Sequence, residues 1–209
     1  MTYELIHPDF LVITCNEGET AMGGSQNWYP NRRERMSGCG PTNASNLIWY
    51  LAQSRPELQI PCETAGGAKH CFVGLMQEMF AYVTPGIGGV NNSSIFTDGI
   101  SRYALAHGFA LSPQVLDIPA SFRKRPAADS VYGFIVNALQ ADSPVAFLNR
   151  SNGKLKKLDN WHWVTIIGFE KPAATIIDQG SAFEICLGDW LKTSLLGGTF
   201  VYVCHQAQA

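Results

Sequence analysis

The residue whose surroundings best suit chemistry is Cys39, in the segment Ser37-Gly38-Cys39-Gly40-Pro41. From Pro41 to Gln53 the residues Ala44, Leu47, Ile48 and Leu51 recur at helical spacing, and proline is tolerated in a first helical turn. Cys39 therefore sits at a helix N-terminus, where unpaired backbone N–H groups and the helix dipole stabilise a thiolate, the nucleophilic form of the side chain. Glycines on both sides let a substrate carbonyl approach the backbone and bring amide donors near a developing oxyanion. The same five residues also suit a structural cysteine beside a glycine turn.

A cysteine nucleophile needs a proton acceptor that later protonates the leaving group. There are five histidines. His7 and His205 lie near the termini, His70 is in a polar loop beside Cys71, and His107 stands next to the helix-stopping Gly108. His162 opens the β-rich run HWVTIIGFE, so a strand can hold its imidazole rigidly. Asp178 ends the next run, ATIID, 16 residues further on. A hairpin turning at Lys171-Pro172-Ala173 brings the two together, with the carboxylate orienting the imidazole from the side away from the cysteine. Asn149 and Asn160 are alternative orienting groups in less apt strand positions, and an ordinary turn aspartate before Gly180 is the competing reading of Asp178.

These groups need elements to hold them. Helical periodicity recurs over Cys71–Val83, Ile95–His107 and Val131–Gln140, so the first two thirds of the chain read as mainly helical. Beyond residue 143, short β-rich runs (SPVAFLNR, HWVTIIGFE, ATIIDQ, FEICL and GTFVYVC) predict a mostly antiparallel sheet of five or so strands, with a turn at GDWLKTSLLGG. Helices followed by strands indicate an α+β fold, with one domain spanning 1–209 and a cleft between helices and sheet. Phe10 to Cys15 reads as a strand, and residues 16–37 as a long loop, of a length more often functional than filler.

The motifs Gly38-Cys39-Gly40-Pro41-Thr42, His162-Trp163-Val164-Thr165-Ile166-Ile167-Gly168-Phe169 and Ile177-Asp178 resemble the papain-like cysteine peptidase superfamily. Within it the chain looks most like the bacteriocin-processing, double-glycine peptidase-like proteins of bacteria. The resemblance covers the order and context of the active-site segments, while residues 54–143 match nothing recognisable. It implies a papain-like fold, Cys39 as nucleophile, His162 as general base and Asp178 as its orienter. It also implies a glutamine upstream of the nucleophile that donates into the oxyanion hole, and Gln26 is the candidate. Gln26 precedes Cys39 by 13 residues, further than is common, so the insertion NWYPNRRERM must bulge outward if Gln26 is to reach the site. Arg32, Arg33 and Arg35 in that insertion read as a solvated face, with an acidic substrate group as the weaker alternative. Trp161 and Trp163 flank His162 and in a regular strand turn away from its face, so neither is expected to line the cleft beside it. Trp28, in the long loop, is placed to cover the cleft entrance.

Composition narrows the partners. The 15 Lys+Arg residues against 17 Asp+Glu leave a net charge of -2, without the basic excess that drives binding to nucleic acid. Apolar runs are too short for a bilayer span and the first ten residues, MTYELIHPDF, do not form an export signal, so a cytoplasmic protein is expected. The cysteines show no paired spacing of a zinc or redox motif, although Cys62 and Cys71 are close enough to pair. No cofactor or metal is expected, and the expected partner is a peptide or protein substrate. A double-glycine processor of this length would need any transporter partner to be a separate chain. Gly23-Gly24 makes a poor self-cleavage site, since no amphipathic leader precedes it. The constellation fits hydrolysis of a peptide or amide through a thioester. Transglutaminase-like or amidase acyl transfer, and a peptide-binding module that has kept the scaffold without turnover, are the alternatives.

Overall fold

The helix that carries Cys39 begins at that residue: in a computed structural model describing residues 1–15, 18–55, 57–58 and 68–205, α2 spans Cys39–Ser54. Preceding it are three short strands, β1 (Thr2–Glu4), β2 (Val12–Thr14) and β3 (Thr20–Met22), and a one-and-a-half-turn helix, α1 (Arg32–Ser37). Then come α3 (Lys69–Tyr82), α4 (Ser93–Ala106), β4 (Leu111–Ile118) and α5 (Ala128–Gln140). The C-terminal part runs β5 (Val145–Asn149), β6 (His162–Glu170), β7 (Ala173–Asp178), β8 (Ser181–Cys186), α6 (Leu187–Thr193) and β9 (Gly198–His205).

All the strand pairings are antiparallel, in the order β4-β9-β5-β6-β7-β8, with β1 pairing β6 over Gly168–Glu170 beyond the end of β5. β2 and β3 form a separate hairpin. This is the expected α+β architecture, with helices in front and an antiparallel sheet behind. The sheet has seven strands, because two were not legible as strands. β1 has only three residues, and β4 contains Pro113, which argues against a strand unless it lies at an edge. β4 is an edge strand, so its missing N–H costs no ladder hydrogen bond on the open side. The expected turn at GDWLKTSLLGG contains α6, anchored by the fully buried Trp190, whose indole N–H donates to Asn149 Oδ1 at 2.7 Å.

α2 is the pivot of the molecule. Every residue from Gly40 to Leu51 is buried, as expected of a helix enclosed on all sides, here by α3, α4 and strands β5 and β6. Its polar residues are tied into the surroundings. Asn46 Nδ2 donates to Thr165 Oγ1 of β6 at 2.8 Å, and its Oδ1 accepts from the Gly24 N–H at 2.9 Å. One side chain therefore fixes the N-terminal segment, the central helix and the sheet relative to one another.

The stretch 16–37, expected to be a long loop, is structured where it is described. It contains β3, a 3-10 turn over Gln26–Trp28 and α1, whose N-cap Asn31 accepts from the Glu34 N–H at 2.9 Å. Short elements of three to six residues carry too little periodicity to be read from sequence. Cys62 lies outside the described residues, and with it the question of its pairing to Cys71. No described helix is long and apolar enough to cross a membrane.

Candidate active site

α1 and α2 meet at Gly38, and this junction places the Cys39 side chain at the first position of the buried helix. The flanking glycines are required for packing. A Cβ on Gly38 would come within 2.5 Å of the Glu34 carbonyl oxygen and into the Tyr29 ring, and one on Gly40 would lie 2.6 Å from Val90 Cγ2. Room for helix and loops to close around the cysteine therefore explains the Gly-Cys-Gly pattern more directly than substrate approach does.

His162 is the first residue of β6 and Asp178 the last of β7, and the hairpin between them brings the two side chains into contact. His162 Nε2 lies 2.7 Å from Asp178 Oδ1. A carboxylate can only accept, so Nε2 carries the hydrogen and Nδ1 is left to interact with Cys39. Cys39 and His162 border one small cavity, which brings the thiol to the side of the imidazole. Burial by itself lowers the His162 pKa, but the hydrogen bond to Asp178 and the proximity of Cys39 outweigh it and raise the pKa to about 10. The arrangement thus favours a protonated imidazole beside the Asp178 carboxylate.

Asp178 owes its position to the turn that follows it. Asp178 pairs with Ser181 across a two-residue connection in which Gln179 has φ 49° and Gly180 φ 82°. Two successive positive φ values define the hairpin turn whose twist matches the strands. The turn is clamped from the N-terminal segment: Ser25 Oγ donates to Gln179 Oε1 at 2.7 Å, and the Met22 N–H donates to the Gly180 carbonyl at 2.8 Å. Gln26 follows Ser25 directly, so one segment locates both the carboxylate turn and the glutamine.

Gln26 borders the same polar cavity as Cys39, Asn43, Asn46, His162 and Asp178, about 10 Å³ in volume, room for roughly one water. The 13-residue separation of Gln26 from Cys39 is taken up by the 3-10 turn and α1. Gln26 Nε2 donates one hydrogen to the Arg35 carbonyl at 2.9 Å. An amide nitrogen has two hydrogens, so a second remains for an acceptor in the cavity. Gln26 Oε1, Thr42 Oγ1 and Asn43 Oδ1 are buried without a hydrogen-bond partner among the described residues.

Other candidates fall elsewhere. Asn149 is buried, donating to the Asp159 carbonyl at 2.6 Å and accepting from Trp190, while Asn160 Oδ1 accepts from the Asn152 N–H at 2.7 Å. Neither orients His162. Trp28 does not border the cavity; it packs edge-on against Phe72 with Lys69 over its ring at 4.8 Å. The expectation that Trp161 and Trp163 stand clear of the cleft is also overturned. β6 is buried from His162 to Phe169, so both of its faces are covered and simple alternation does not decide what lines the site. Trp163 borders the polar cavity, stacked on Phe96 with its indole N–H donating to the Val90 carbonyl at 2.6 Å. Trp161 lies outside the strand with φ 56° and borders a second, open groove that also reaches Cys39. Arg35 is not solvated as expected: its Nη1 donates to the Tyr29 and Pro30 carbonyls at 2.8 Å each. Arg32 and Arg33 are exposed and border the open groove with Met36 and Ile87. Among the described residues no group of three His, Cys, Asp or Glu side chains is placed to hold a metal ion.

No protein-family profile matches the chain, and no curated protein matches it. Three chains of known structure do. One, the crystal structure of the Pseudomonas avirulence protein AvrPphB, aligns over 81% of this chain and 92% of its own at 11% identity, with a TM-score of 0.37. A likeness of that degree carries no functional argument, which rests instead on the site residues.

Proposed function

We propose that this chain is a cysteine peptidase-like hydrolase that cleaves a peptide or amide bond through a thioester on Cys39. The observation that carries the reading is the line of Cys39, His162 and Asp178, in which one imidazole nitrogen is committed to a carboxylate and the other is left for the thiol. The Cys39 proton moves to His162 Nδ1, and the thiolate sulfur attacks the substrate carbonyl carbon. The oxyanion that forms is met by backbone N–H groups at the start of α2 and by the second hydrogen of Gln26 Nε2. The imidazolium then returns its proton to the departing amine, leaving a thioester. Water, deprotonated by His162, attacks that thioester and releases the acid, restoring the thiol.

If an amine takes the place of this water the product is a new amide, and the same groups serve transglutaminase-like acyl transfer. Assignment to the double-glycine branch, a separate transporter partner and a cytoplasmic setting rest on sequence resemblance and composition. The non-catalytic reading has one observation in its favour, the bond from Gln26 to the Arg35 carbonyl, which holds the amide partly away from the cavity.

The test is incubation with a pool of fluorogenic peptides and with amine acceptors, followed by mass spectrometry of Cys39. An acyl adduct on Cys39 that is absent from Cys39→Ala and His162→Ala supports the reading. Turnover that survives Cys39→Ala removes it.

A further inference from the structure

The apolar surface of the molecule is unevenly distributed. Of eleven large apolar residues that are exposed among the described residues, six border two adjoining depressions that share Trp161. Met36 and Ile87 flank the depression that opens at Cys39, and Phe122, Leu195 and Leu196 flank the one on the far side of Trp161. Exposed apolar side chains are ordinarily scattered singly, so their clustering along two adjoining depressions suits a binding surface. The charges around it have one sign. Arg32 and Arg33 border the first depression, and Arg150, Lys154 and Lys192 the second. No acidic side chain borders either one among the described residues, in a chain whose net charge is -2.

The surface is also built to hold its shape. Trp161 is kept in a left-handed backbone conformation that a bulky residue rarely adopts, a strain that persists only where its surroundings enforce it. On one side, the turn carrying Ile87 is closed by reciprocal backbone bonds between Gly86 and Gly89 and anchored by Val90, whose carbonyl accepts from Trp163. On the other, the Lys154 N–H donates to Thr193 Oγ1 at 3.0 Å and the Leu195 N–H to Ser151 Oγ at 3.1 Å, stapling loop to loop.

We infer that the track from Cys39 across Trp161 binds an extended peptide segment carrying both bulky apolar and acidic side chains, which makes such segments the substrate class. The substrate half of this inference rests on the proposed peptidase reading; the binding half does not. A peptide fits better than another polyanion because the basic residues are interleaved with aliphatic side chains and the track ends at the thiol. Trp161 and Phe122 are the aromatics on the track, so the test includes a single-stranded oligonucleotide as competitor.

The test uses two fluorescein-labelled dodecapeptides of identical leucine content, one otherwise rich in glutamate and one in lysine, with binding read by anisotropy. At low salt the acidic peptide is expected to bind roughly tenfold tighter or better, a preference that shrinks as salt shortens the electrostatic range. The charge reversals Arg32→Glu with Arg33→Glu, and separately Lys154→Glu with Lys192→Glu, should each erode or invert it. Since both pairs are exposed, folding is checked by circular dichroism. Protection of Cys39 from iodoacetamide by the acidic peptide, at the concentrations at which it binds, would place it on the track. Equal affinity for the two peptides, or a preference indifferent to both reversals, overturns the proposal. So does tighter binding of a single-stranded oligonucleotide or of phosphatidylserine vesicles than of the acidic peptide. If Cys39 proves unreactive the peptidase reading falls, while the anisotropy comparison still decides the binding.

Discussion

His162 Nε2 and Asp178 Oδ1 are 2.7 Å apart, and this bond decides which way the imidazole faces. It fixes the tautomer, leaves Nδ1 without the hydrogen and so able to accept one, and would support the positive charge formed if a thiol proton is taken up. Asp178→Asn keeps the shape and removes the charge. Turnover of a peptide substrate should fall on the order of 10²- to 10⁴-fold. The pH profile should change as well. On the proposed reading activity should be lost as pH rises through the His162 pKa, raised to about 10, so removing the carboxylate should lower that pKa and move the alkaline limb to lower pH. An alkaline limb that stays in place in Asp178→Asn would show that the carboxylate does not set it.

Gln26 borders the site cavity, and its Nε2 spends one of its two hydrogens on the Arg35 carbonyl. Gln26→Ala should reduce kcat by ~10²–10³ with little change in KM, as expected for a donor used only in the transition state. A loss confined to KM would make Gln26 a substrate contact instead.

Gly40 lies in the first turn of α2, where replacing glycine by alanine ordinarily stabilises a helix by about 1 kcal/mol. Here the added Cβ would lie 2.6 Å from Val90 Cγ2, and the sign should reverse. Gly40→Ala is expected to cost roughly 1–3 kcal/mol in urea denaturation, and Val90→Ala in the same chain should recover part of it.

The helices that hold the site were legible because their apolar residues repeat at helical spacing over about two turns, as Ala44, Leu47, Ile48 and Leu51 do in α2. His162 and Asp178 were legible as a pair because hairpin geometry needs only strand runs and a short connection. The clamp on Asp178 was not. It depends on Ser25 meeting Gln179, 154 residues away, and no local pattern announces such a contact. The roles of the tryptophans were misjudged for a related reason: alternation along β6 predicts facing only where one face is open, and β6 is buried on both. Arg35 looked like its neighbours Arg32 and Arg33 in sequence, yet the turn at Tyr29 and Pro30 gives it carbonyls to bond while the other two stay free at the groove. Gln179-Gly180 between two β-rich runs is a two-residue hairpin turn, which fixes Asp178 at a strand end more firmly than its distance from His162 does.

The most direct measurement is the rate of Cys39 alkylation by iodoacetamide from about pH 5 to about pH 9, followed by mass spectrometry in wild type and His162→Ala. If His162 holds a proton taken from Cys39, the wild type should alkylate about tenfold faster or more at acidic and neutral pH, and the two curves should converge at alkaline pH, where any thiol ionises unaided. Superimposed curves across the whole range would contradict the thiolate and imidazolium pair on which the proposed chemistry depends.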